Sequence, residues 1–177
     1  MSHKRVNTAL LLPVLALFSG AAVSSSPHSV AVAQPTAAAT DMNGLSKADQ
    51  KKYAASHFLG FYTLNGRTTA DVCGAEGVDL ANYERAFQLK HTSELAQAEK
   101  VMMASGVSAE QMAIVAGGKR KEMEATIRHT MLELANALHA ATVADGCAYV
   151  AGHPADAASA QSFAEQNPEV ETALMSD

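Results

Sequence analysis

NGRTTADVCGAEGVD, residues 65–79, stands between two long helical patterns and holds Asn65-Gly66, Gly74, Gly77, Arg67 and the first of two cysteines. Asn and Gly both tolerate a left-handed backbone, so the pair Asn65-Gly66 predicts the end of a helix. The stretch therefore reads as a corner where two helices meet, with Cys73 free to fasten that corner to something distant. Its one intramolecular partner is Cys147, near the end of the third helical pattern.

The patterns on either side settle the fold class. Upstream, Ser46 and Asp49 have the spacing of a capping box. Tyr53, His57, Gly60, Phe61 and Leu64 then recur at helical spacing, with Phe58, Leu59 and Tyr62 beside them. A helix apolar round much of its circumference is expected at the centre of a bundle. Gly60 is about 1 kcal/mol worse than alanine in a helix, which a close crossing or plain tolerance of a modest cost explains equally well. Downstream, Asp79 reads as the N-cap of a second helix from Leu80 to Ala104, closed by Gly106, with His91 on its apolar stripe. Ser108 and Gln111 form a capping box for the third helix, which Gly117-Gly118 is expected to kink. Met123, Ile127, Met131, Leu134, Leu138 and Ala141 then form its core face, up to a stop near Gly146. Pro154 and Pro168 suit the first positions of two short terminal helices, the second holding Val170, Ala173 and Leu174.

Ala, Leu, Met, Glu and Gln dominate, whereas the β-branched and aromatic runs of strands are scarce. The chain is expected to be all-α: a small helical bundle of three long helices plus short C-terminal helices. Residues 45–177 form the single helical domain.

Residues 1–33 read as a secretory signal: Lys4 and Arg5, a short apolar run from Ala9 to Phe18, then small residues. That run is shorter than the ~20 residues needed to span a bilayer. Cleavage fits after Ala33, with Ala31-Val32-Ala33, or after Ser24, with Ala22-Val23-Ser24. Residues 34–44 follow as a disordered leader of low periodicity. An exported chain meets an oxidising compartment, so a Cys73–Cys147 disulfide is expected, against inert thiols or an intermolecular bridge. The expected location is periplasmic or secreted, with no stable membrane insertion after cleavage.

Charge narrows the partners. The chain has 13 Lys and Arg against 18 Asp and Glu, and Lys4 and Arg5 are lost with the signal. Phosphate binding needs clustered cations, so nucleic acid is not an expected partner. Lys119-Arg120-Lys121, followed by Glu122 and Glu124, reads as a solvated helix face.

Chemistry-bearing motifs are sparse. The chain has no C-x-x-C, C-x-x-C-H, H-E-x-x-H or G-x-S-x-G, so the sequence assigns no catalytic residue, metal or cofactor. His57, His91 and Glu94 could converge on a metal, but bundle metal sites declare themselves through Glu-x-x-His pairs, which are absent. The methionines read as core filling, with an adaptable binding surface as the alternative. The expected function is an exported, non-enzymatic protein that binds an unidentified protein partner, as an inhibitor, adaptor or accessory factor. The alternative is a small-molecule, metal or haem binder; a small enzyme using the acids of the corner is a third reading. Candidate partner contacts are Arg67, Asp71 and Glu76, because loops on a rigid frame carry function and arginine is enriched at interface hot spots.

Overall fold

The computed structural model describes residues 42–176. The signal read over residues 1–33 and most of the leader lie outside them. Among the described residues every regular element is helical.

The helix end expected at Asn65-Gly66 is not there; the corner of the 65–79 stretch falls at Gly77 instead. α1 (Lys47–Thr63) runs into a π turn (Leu64–Thr68) and on into α2 (Thr69–Ala75), with right-handed helical backbone at both junctions. A π turn accommodates an extra residue by widening the helix, so the chain continues where the Asn-Gly pair was expected to stop it. Gly77 makes that corner with a φ of +81°. Its N–H donates to the Gly74 carbonyl at 3.0 Å and the N–H of Val78 to the Cys73 carbonyl at 2.9 Å, the two bonds of a Schellman cap. Asp79 then accepts from the N–H of Ala81 at 2.9 Å, opening α3 (Ala81–Lys90).

The second long helix is also divided. His91 leaves helical geometry between α3 and α4 (Thr92–Ala104), and Thr92 returns its hydroxyl to the carbonyls of Gln88 and Leu89. The Gly106 cap is present, with φ +76°. The Ser108–Gln111 capping box opens α5 (Ala109–Ala137), which passes through Gly117-Gly118 as one helix of 29 residues, without the expected break. It stops earlier than expected. His139, at φ 60°, takes the left-handed cap position, so Leu138 and Ala141 are exposed rather than core. Thr142 and Asp145 make a capping box for a separate α6 (Val143–Gly152), which carries both Gly146 and Cys147. Pro154 and Pro168 begin α7 (Pro154–Ala160) and α9 (Pro168–Met175), with α8 (Phe163–Gln166) between them.

α1 is central, packing along α4 and α9, while α5 lies along α6 and crosses the π turn and α2; α3 lies against α7. The core is aromatic at its middle, where Phe58, Phe61, Phe87 and Phe163 are all buried. Burial of each contributes about 2–3 kcal/mol. Cys73 and Cys147 are bonded across α2 and α6, with Cα atoms 5.5 Å apart. Polar bonds latch the C-terminal segment: His57 to Asn167, Lys90 to Ser159, and Gln97 to the Leu174 carbonyl.

Two glycines separate propensity from packing. A Cβ on Gly146 would stand 2.1 Å from the Met131 carbonyl oxygen, so α5 and α6 cross where only glycine fits. Gly60, whose place in a helix a crossing or mere tolerance of its propensity cost would equally explain, has nothing within 4 Å of that position, so the second explanation holds. Gly146→Ala is therefore expected to destabilise the protein by about 3 kcal/mol. Gly60→Ala, which adds only helix propensity, should stabilise it by about 1 kcal/mol. Urea unfolding of both variants checks the pair; a neutral Gly146→Ala would contradict the crossing.

Candidate functional site

Side chains add hydrogen bonds to the backbone carbonyls of the π turn and its approach. Thr69 donates its hydroxyl to the Leu64 carbonyl at 3.1 Å, and Asn65 its amide to the Phe61 carbonyl at 3.0 Å. The Tyr83 hydroxyl reaches across from α3 to the Asn65 carbonyl at 2.7 Å. Burial, with the charge of Glu84 behind it, pushes that hydroxyl well above its ordinary pKa, so it stays protonated and donates. Gly66 lets Phe87 sit against the turn, its ring carbons 3.2 Å from where a Cβ would be.

Beside this turn a groove of about 490 Å³ opens between the composite helix and the start of α3. Tyr62, Gly66, Arg67, Ala70, Asp71 and Gly74 line one wall. Val78, Asp79, Leu80, Glu84, Phe87 and Gln88 line the other. Small residues at 66, 70 and 74 follow one another at four-residue spacing down the helical wall, leaving the groove open along it. Its volume is in the range of small-ligand sites, roughly 300–1,000 Å³.

The residues singled out from sequence fare differently. Arg67 is exposed at the groove and makes no ion pair or side-chain hydrogen bond among the described residues. Asp71 also lines the groove but faces Arg120 of α5 at 3.5 Å, and Glu76 pairs with Arg128 of α5 outside it. The cluster read as a solvated face thus lends one cation, Arg120, to α2.

The two histidines do not meet. His57 stacks on Tyr53, lies tilted against Phe163 and bonds Asn167 at 3.2 Å. His91 is buried against Phe58, Phe61 and Phe87. Its Nε2 donates to the Gln161 carbonyl at 2.9 Å, and Glu94 lies 3.3 Å from Nδ1. Among the described residues no three His, Cys, Asp or Glu side chains gather as a metal site. The His91–Glu94 contact is local to the α3–α4 break, while the bond to Gln161 ties that break to the C-terminal segment.

Sequence reading placed Glu84 among the acids of the corner but missed Tyr62 and Gln88 as groove residues, since it took them as ordinary positions on two separate helices. That the two walls face one another across the groove rests on the Phe87–Gly66 contact, for which Gly66 in an otherwise helical run was the available signal. In comparisons with family models, with curated proteins and with solved structures, nothing matches this chain.

Tyr83→Phe keeps the ring and removes one donor, leaving the Asn65 carbonyl buried without it. The expected cost is about 1–3 kcal/mol, read as a lowered denaturant midpoint with unchanged slope. A change near zero would mean that the π turn does not depend on this bond.

Proposed function

We propose that this is an exported helical protein that works without catalysis, by binding another protein through the groove beside the π turn. Inhibitor, adaptor and accessory roles all fit that description. The observation that carries the reading is Arg67: an exposed guanidinium at a groove, on a turn held in place by buried neighbours, with no internal ion pair among the described residues. A cation held by a rigid frame and left without an internal partner is well suited to contact a second molecule. Asp71 serves beside it at the groove, while Glu76 supports it by holding α2 to α5. The disulfide between two buried cysteines favours a periplasmic or secreted location, where such bonds persist. Among the described residues no helix is long and apolar enough to cross a membrane. The groove volume also suits a small molecule, the second reading; its three carboxylates and one guanidinium favour a charged peptide surface instead.

Arg67→Ala tests this. Wild-type and variant proteins are used for affinity capture from the cell envelope fraction, with melting measured on the same samples. The expected outcome is a partner lost or weakened at least about tenfold, with stability within about 0.5 kcal/mol of wild type. A lowered melting temperature with full capture would make Arg67 a structural residue and place the binding surface elsewhere.

A further inference from the structure

The groove also says what kind of partner segment it suits. Four charged side chains line it, Arg67 against Asp71, Asp79 and Glu84. Asp71 already has Arg120. Asp79 accepts a backbone N–H but has no ion pair, and Glu84 has neither ion pair nor side-chain hydrogen bond among the described residues. Two carboxylates on the α3 wall are therefore without cations. Tyr62 stands on the facing wall as an aromatic surface. Burial first, then the charges of Glu99 and Glu84, raise its hydroxyl above the ordinary pKa. Carboxylates beside an aromatic ring are the usual surroundings of a bound guanidinium or ammonium group. Ala70 and Val78, both half-buried, supply an apolar strip alongside.

We infer that the groove docks a basic peptide segment of a partner protein, one Lys or Arg side chain lying over Tyr62 between Glu84 and Asp79, with an apolar neighbour against Ala70 and Val78. Arg67, across the groove, takes a carbonyl or carboxylate oxygen of the same segment. This rests on the groove being the protein-binding surface and adds the sign of the partner's charge. The unpaired acids outnumber the unpaired cation, so a basic segment gains attraction along its length and an acidic one meets repulsion everywhere except at Arg67.

Two fluorescein-labelled peptides test it by anisotropy in near-physiological salt: one of alternating lysine and leucine, the other with glutamate in place of lysine. Saturable binding of the lysine peptide alone is expected. The double variant Asp79→Asn, Glu84→Gln preserves side-chain shape and the Asp79 cap geometry, and should weaken that binding at least about fivefold. Glu110→Gln, an exposed acid outside the groove, should change it less than about twofold. Equal loss in the Glu110 variant would show diffuse attraction to an acidic protein and overturn the inference. So would failure of the lysine peptide to saturate. Binding of the glutamate peptide that Arg67→Ala abolishes would also overturn it, while leaving the groove as a protein-binding surface. Loss of partner capture with Arg67→Ala is read independently of all three.

Discussion

The widened turn at Leu64–Thr68 is the constraint on which the rest of the molecule depends. A regular helix through these residues would place its carbonyls and side chains in a different register against α3. The π turn instead presents the Asn65 carbonyl to Tyr83 and the bare face of Gly66 to Phe87. Those two contacts set α3 across the end of α1, and α3 in turn supplies the second wall of the groove. Widening has a cost, because helix propensity is poor at Asn and Gly and a buried carbonyl without a donor is unfavourable. Thr69, Asn65 and Tyr83 offset it with hydrogen bonds drawn from both sides of the turn.

Continuity through the turn also decides where Cys73 goes. Because α2 extends α1, Cys73 lies along the central helix and faces α6, where Cys147 meets it. The bond closes a long loop and constrains the unfolded chain by about 4 kcal/mol on the entropic account. It acts together with the Gly146 crossing: α6 is drawn to α5 by close backbone contact and to α2 by covalent linkage, at adjacent residues. Arg120 and Arg128, reaching from α5 to Asp71 and Glu76, form pairs at the surface and add little energy. Their effect on the site is to leave Arg67, Asp79 and Glu84 as the charged groove groups without ionic partners among the described residues.

Much of this was legible in the residues. The all-α class, the Ser46 and Ser108 caps, the Gly106 terminus and the proline starts of α7 and α9 follow from local chemistry, and the disulfide from the count of two cysteines in a chain read as exported. What failed was the reading of glycines. Asn65-Gly66 has the composition of a helix end, and nothing local distinguishes an end from a widened turn whose donors come from Tyr83, distant in sequence. Gly60, left open between a crossing and simple tolerance, is open to solvent, whereas Gly146 has the look of a stop and is a crossing. The difference lies in the partner helix, whose position sequence spacing does not show. The end of α5 was misplaced because His139 takes a left-handed position usually given to glycine. The Thr142-x-x-Asp145 capping box was the signal that a new helix starts before Gly146. At the site, Arg67 and Asp71 were found from their place beside an expected turn. Glu84 was grouped with the acids of that corner, but Tyr62 and Gln88 were not found, since only the packing of α3 on the π turn brings them to one groove.

The most direct test of this account is the backbone NMR of residues 47–75. Helical Cα secondary shifts running unbroken through Leu64–Thr68, with amides from the π turn to Cys73 among the slowest to exchange, are the expected result. Random-coil shifts at Asn65 and Gly66 with rapid exchange there would mean that the helix ends at that pair. The turn, the placement of α3 and the groove would then all be contradicted together.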